Sequence, residues 1–320
     1  MDIKKSLFYF LNKKEILALL VSFFCISVLS QDLEPRAYAN VPKGINVLAV
    51  GYGYNKGNVL SDPSLPIKDF KINTQILAVN YIHSFSIAKK LARVQVSIPM
   101  ADMQGKLQLN GEEVTGSRTG FADARIRFGI NLTGSPALDP KNFRQYQQKA
   151  IFGVSLVTSI PIGRYYNDKQ INLGSNRWAF KPEIGISKRF KHVYAEAYVG
   201  TWFYTHNNDY FGGKELKQNP TISFQAHASY YFKNQMWLGF NTNWYKVGEV
   251  AINDVYSGDT QKDWRIGGTF SVPITKSQSL RLQYHTGIYA DLGLNYDSLT
   301  LAYQYVFFRK KFNDNKSIDK

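Results

Sequence analysis

Residues 221–232 read Thr-Ile-Ser-Phe-Gln-Ala-His-Ala-Ser-Tyr-Tyr-Phe. Successive side chains of an extended chain point to opposite faces. Ile222, Phe224, Ala226, Ala228, Tyr230 and Phe232 therefore share one face, and Ser223, Gln225, His227 and Ser229 share the other. A strand of this kind needs an apolar medium on one side and water or polar partners on the other. The alternation recurs about a dozen times along the chain.

Twelve strands are predicted, near 44–56, 70–85, 89–100, 118–134, 147–161, 177–190, 193–206, 219–233, 235–249, 260–273, 278–291 and 295–308. Each is longer than the roughly 9–11 residues that a tilted strand needs to cross hydrocarbon. An even count lets both termini lie on one side of the membrane. Tight links fall at Ile87-Ala88-Lys89, Lys191-His192, Lys233-Asn234 and Lys276-Ser277. Long polar links join strands 1–2, 3–4, 5–6, 7–8 and 9–10, as expected for periplasmic turns and outer loops at opposite ends. Two links depart from this scheme: Gly134 to Tyr146 is long for a turn, and Asp291 to Asn295 is short for an outer loop.

Facing assignments agree between strands. The fourth puts Ala122, Ala124, Ile126, Phe128, Ile130 and Leu132 outward, with Asp123, Arg125, Arg127 and Asn131 inward. The sixth puts Phe180, Pro182, Ile184 and Ile186 outward, with Lys181, Glu183, Ser187 and Arg189 inward. The eleventh puts Leu280, Leu282, Tyr284 and Ile288 outward, with Arg281, Gln283 and His285 inward. Water-soluble barrels fill the interior with apolar side chains. Unpaired charges in such a dry core cost too much. The expected fold is therefore all-β: an antiparallel up-and-down transmembrane β-barrel of about twelve strands over 44–308, its polar face toward the lumen. Tyr303, Tyr305 and Phe307 close the last strand and suit an interfacial aromatic girdle.

The first thirty residues differ in character. Lys4, Lys5, Lys13 and Lys14 precede an apolar run from Ile16 to Leu29, then Ser30-Gln31. A basic start, a short apolar stretch and a small residue make a secretory signal peptide over 1–30, with cleavage after Ser30 or after Ala39. Residues 31–43 are expected as an N-terminal periplasmic segment, and 309–320 as a basic tail. The only cysteine, Cys25, lies in the signal segment, so the mature chain would have no thiol chemistry or disulfide. The net charge is +15, and removing residues 1–30 leaves +13. The arginines are scattered through strands rather than clustered on a helix, which argues against nucleic-acid binding.

The stretch Ile171-Asn172-Leu173-Gly174-Ser175-Asn176-Arg177-Trp178-Ala179-Phe180-Lys181-Pro182-Glu183 resembles the MetA-pathway of phenol degradation family of outer-membrane proteins. Further similar stretches are Glu34-Pro35-Arg36-Ala37-Tyr38-Ala39-Asn40, Pro161-Ile162-Gly163-Arg164-Tyr165, Asn207-Asn208-Asp209-Tyr210-Phe211 and Gln225-Ala226-His227. The resemblance implies an outer-membrane barrel with a role in moving small compounds, aromatic ones included. It carries over no catalytic or ligand residues.

The inward residues Arg93, Arg125, Arg127, Lys181, Glu183, Arg189, Glu196, Gln225, His227, Asn241, Arg265, Arg281 and His285 are the lumen-lining candidates. Their positive excess would favour anions such as aromatic carboxylates; equally, the same charges can pair into a stiffening network. His227 and Ser229 share a face, like the base and nucleophile of an outer-membrane lipid hydrolase, although they point inward. Asn207, Asn208 and Asp209 offer oxygens to a hard cation, but such a run is more often turn chemistry. No metal or cofactor motif is present, and the five histidines are dispersed. Trp202, Trp237, Trp244 and Trp264 are expected in interfacial belts. The expected partners are outer-membrane lipid and a small solute. A channel is the leading reading, with a structural or interaction barrel and a lipid hydrolase as alternatives.

Overall fold

The computed structural model describes residues 34–60, 67–109, 111–169, 171–258, 260–290 and 293–308. The signal segment and the basic tail lie outside the described residues.

The strands are β1 (Ile45–Leu60), β2 (Ile67–Ile87), β3 (Lys90–Leu109), β4 (Glu112–Phe121), β5 (Ala124–Thr133), β6 (Ile151–Ile160), β7 (Ala179–Phe190), β8 (Val193–Tyr204), β9 (Asn207–Tyr210), β10 (Lys214–Gln218), β11 (Thr221–Tyr231), β12 (Trp237–Val247), β13 (Val250–Ile252), β14 (Val255–Tyr256), β15 (Gln261–Pro273), β16 (Gln278–Ala290) and β17 (Gly293–Phe308). Sequential antiparallel neighbours run round the wall, and β1 pairs with β17 from Ile45↔Phe308 to Leu60↔Gly293. The sheet is closed, which is what hydrocarbon demands: a lipid-exposed strand edge would leave backbone groups unpaired. β4 and β5 are one wall strand interrupted at Ala122-Asp123, since both pair with β3. The barrel therefore has twelve strands.

The alternation decides which face meets which medium. Ile184 and Ile186 are 52% and 56% exposed on the outside, whereas Lys181, Glu183 and Ser187 between and beside them are buried inside. Leu280, Leu282 and Tyr284 likewise face out. Tyr303 and Tyr305 are outward at the end where the chain leaves the wall, and Tyr305 stacks on Phe307 at 5.5 Å.

Turns at the end holding Ile45 and Phe308 are tight, except the β5–β6 link of residues 134–150, which is long, as its sequence indicated, and carries a short helix at Pro140–Phe143. Ala88 and Lys89, both with positive φ, make the two-residue β2–β3 connection, the twist-matched hairpin geometry. At the other end the expected long polar link between the third and fourth strands is not a loop. β3 and β4 continue as a ladder from Met100↔Phe121 to Leu109↔Glu112. Beyond the hydrocarbon both faces of a hairpin can be polar, so little alternation marks it; backbone pairing carries it, with Lys106–Glu113 at 3.2 Å and Thr119–Asp102 crossing between the strands. β9, β10, β13 and β14 form a separate four-stranded sheet from two outer loops.

β4 pairs with β3 alone, and β6 joins the ladder only at Ala124↔Ile160. The chain after β6 covers this step. Asp123 Oδ1 accepts from Gly163 N at 3.0 Å, and its Oδ2 accepts from Ser175 N at 2.8 Å and Ser175 Oγ at 2.6 Å. Arg164 N donates to the Phe121 carbonyl at 2.7 Å. A Cβ on Gly163 would stand 2.6 Å from Gly174 Cα, so the two backbones meet only because neither carries a side chain.

Candidate functional site in the barrel lumen

The most consequential segment inside the barrel is not a strand. Residues 34–40, expected in a periplasmic segment, lie against the inward face of the wall. Tyr38 is the anchor, 2% exposed. Its ring fills a slot opened by glycines on adjacent strands. A Cβ at Gly153 of β6 would sit 2.7 Å from Tyr38 Cε1, and one at Gly185 of β7 would sit 2.5 Å from Tyr38 Cδ2. Tyr198 packs edge-on at 5.0 Å between ring centres. The Tyr38 hydroxyl shares a hydrogen bond with Ser155 Oγ at 3.1 Å and donates toward Glu183 at 3.3 Å.

Charged side chains lock the same segment in place. Arg127 binds Glu34 at 2.7 Å on one side and Glu183 on the other. Lys181 joins Glu183 at 3.1 Å. The Arg36 N–H donates to Glu196 Oε2 at 2.8 Å, while the Arg36 guanidinium lies over the Tyr194 ring at 3.8 Å and is 3.5 Å from Glu196. Arg93 donates to the carbonyls of Ala37 and Ala39. Glu34 N reaches Gln225 Oε1 at 3.4 Å. Buried charges survive only when paired and hydrogen-bonded, and here strand and segment each supply part of the partner set.

Farther round, His227 meets Asn241 at 2.8 Å, and Asn241 donates to Thr269 at 2.9 Å. Arg265 lies over the Tyr296 ring at 3.7 Å and donates to the Tyr296 carbonyl. His285 meets the same ring edge-on at 6.2 Å. Arg125, Arg189 and Arg281 face a chamber of about 930 Å³. The lumen is thus divided. Along β6 to β12 it is filled by paired polar side chains and the N-terminal segment; against β1 to β3, β16 and β17 lies the chamber.

The sequence readings missed two features. The Tyr38 slot has no local signature, because the glycines lie more than a hundred residues away. The open side also differs from the polar face expected of every strand: Val47, Ala49, Gly51 and Gly53 line the chamber from β1. Two tryptophans leave the belt expected of them. Trp202 and Trp237 are buried inside, near Arg125 at 5.7 Å and Arg281 at 5.3 Å respectively. A ring beside a guanidinium gains cation–π attraction that an interfacial position lacks. Trp264 remains on the outer face.

The His227–Ser229 pair does not assemble: His227 Nε2 and Ser229 Oγ both lack a hydrogen-bond partner among the described atoms. Asn207 and Asp209 are engaged in loop contacts. Asn207 Nδ2 donates to Tyr165 Oη at 2.9 Å, its Oδ1 accepts from Asn176 at 2.9 Å, and Asp209 accepts from Asn167 at 3.1 Å. Among the described residues no group of histidine, cysteine and carboxylate side chains is placed to hold a metal.

The family model described as MetA-pathway of phenol degradation matches residues 51–312. No curated protein matches the chain in sequence. Among solved structures, an outer membrane channel from Pseudomonas putida F1 is similar with a TM-score of 0.74 and 18% identity, covering 86% of this chain and all of that one. The transport unit of the autotransporter AIDA-I from Escherichia coli is similar with a TM-score of 0.50 and 12% identity, over 88% of this chain and 94% of that one. At these identities the likeness shows the fold. A closed barrel with an apolar exterior and a polar interior belongs in the outer membrane of a bacterium.

Proposed function

We propose that this chain, which belongs to the MetA-pathway of phenol degradation family, is a channel for small organic solutes, aromatic or anionic, and that solutes pass beside an N-terminal segment folded into its own lumen. One observation carries this reading: the lumen keeps a chamber of about 930 Å³ lined by arginines. A barrel built only for rigidity gains nothing from leaving that space unfilled. Lumen cations lower the energy of an anion on the path and raise that of a cation. The lumen-lining candidates divide the work. Arg93, Arg127, Lys181, Glu183, Glu196 and Gln225 hold the segment, while Arg125, Arg189, Arg281 and His285 face the path. His227, Asn241 and Arg265 stiffen the wall through their neighbours.

Purified protein in planar bilayers tests this. The expected result is discrete conductance steps with a reversal potential in asymmetric KCl on the anion-selective side, and uptake of small aromatic anions into proteoliposomes. Absence of both conductance and uptake, with the barrel intact, refutes it. A second reading, a plugged structural barrel, draws support from the Tyr38 slot and the Arg127 ion pairs. It requires that the intact protein show no conductance and no uptake, with current only after the segment is released.

A further inference from the structure

The charged and apolar walls of the chamber meet in one row of the sheet. Arg281 of β16 is in register with Ala302 of β17, Ala302 with Gly51 of β1, and Gly51 with Ala78 of β2. All four face the chamber. Strands are spaced about 4.8 Å apart, so the row from Arg281 to Ala78 runs about 14 Å. It begins at a cation and continues along a strip with almost no side-chain bulk. The neighbouring inward rows, Gln304–Ala49–Asn80 on one side and Thr300–Gly53–Ile76 on the other, keep small residues on β1 beside Gly51 and place polar side chains at Gln304, Asn80 and Thr300; an apolar row of Val306, Val47 and Ile82 follows beyond Ala49.

Arg281 is equipped to hold an anion. Its Nε is buried and makes no hydrogen bond, and no carboxylate pairs with it among the described residues. The Trp237 ring at 5.3 Å is the neighbour that steadies it. Among the described residues, seven arginines line the chamber against a single carboxylate, Glu34, and Glu34 is already held by Arg127 at 2.7 Å. A guanidinium offers a planar fork that matches a carboxylate with two parallel hydrogen bonds.

We propose that this row is a binding site for an amphipathic organic monocarboxylate, its carboxylate on Arg281 and its ring or short alkyl chain along Ala302, Gly51 and Ala78. The site rests on the channel reading and names the solute class that reading leaves open. A neutral aromatic gains only the strip, and acetate gains only the guanidinium; a solute such as benzoate or octanoate gains both. The length suits one ring or about eight methylene groups at roughly 1.25 Å each, within the 14 Å of the row.

Equilibrium binding to the protein in lipid nanodiscs, measured by titration calorimetry, tests the site. Benzoate and octanoate are expected to bind at least tenfold tighter than benzamide and acetate. Arg281→Gln should weaken benzoate at least tenfold and leave benzamide within twofold, while Arg281→Lys should retain part of the benzoate affinity. Heat-modifiable gel migration shows that each barrel is folded. Ala302→Leu, which fills the strip without touching the charge, should weaken octanoate and spare acetate. Benzamide binding as tightly as benzoate, or octanoate indifferent to Ala302→Leu, overturns the proposal. KCl conductance is recorded on the same preparations: steps without carboxylate preference sink this site and leave the channel standing, whereas carboxylate binding without conductance sinks the channel and leaves the site.

Discussion

Replacing Tyr38 by Ala should free the N-terminal segment from the lumen. The ring is 2% exposed and sits where Gly153 and Gly185 make room for it. Truncating a buried aromatic to Ala costs about 3–5 kcal/mol where the cavity cannot collapse, and a slot between two fixed strands cannot. The hydroxyl's links to Ser155 and Glu183 are lost as well, each worth about 1 kcal/mol net. Only docking of the segment bears this cost, since no strand pairing passes through Tyr38. At about 1.4 kcal/mol per decade, a loss of 3 kcal/mol raises the undocked population more than a hundredfold. Two assays read that population. Single-channel conductance should rise or become flickering. Trypsin should cut after Arg36, which in the native protein is held by Glu196 and Tyr194. Gly185→Ala provides a control that leaves the segment's sequence intact and should move both readouts the same way. Unchanged conductance together with an uncut Arg36–Ala37 bond in the Tyr38 variant would refute the docking argument.

Asp123→Ala removes the acceptor of three hydrogen bonds from Gly163 and Ser175; bonds to a charged group contribute about 1.5–3 kcal/mol each, so proteolysis within 163–175 should accelerate at least tenfold. Gly163→Ala should do the same by forcing its Cβ against Gly174, while barrel migration on a gel stays normal. Glu215 of the outer-loop sheet is held below its ordinary value of 4.5 by hydrogen bonds from Lys217 and then His206. A lowered carboxylate contributes stability above the ordinary value and loses it as pH falls through the lowered one. Hydrogen-exchange protection of β10, corrected for intrinsic rates, should therefore drop below about pH 4.5 in the native protein and be smaller at neutral pH in Lys217→Gln. Ser229→Ala should leave phospholipid release at the level of protein-free vesicles, as for the unaltered chain, because Ser229 Oγ has no hydrogen bond to His227; release that depends on Ser229 would restore the hydrolase reading.

Most strands carried their own instructions for inside and outside; β1, with Val47 and Ala49 inside and Leu48 and Val50 outside, did not. Ser223, Gln225, His227 and Ser229 are buried, and Ile222 and Phe224 beside them are exposed, because a period of two is local and needs only the next residue to be expressed. Closure followed from the same pattern, since an apolar exterior in lipid tolerates no open edge. The motif Asn-Leu-Gly-Ser-Asn-Arg-Trp was visible as an unusual string, but its work was not. Gly174, Ser175 and Asn176 clamp a loop to Asp123 and Asn207, partners that no spacing reveals.

What only the tertiary structure decided are the contacts between distant segments. Tyr38 finds Ser155 117 positions away and Glu183 145 positions away, and a lone tyrosine in a polar stretch leaves no periodic trace. The four-residue row from Arg281 to Ala78 exists only once the sheet closes and its register is set. Alternation is a property of one chain segment and can be read from it. A slot, a plug or a row across strands is a property of several, brought together by closure of the barrel.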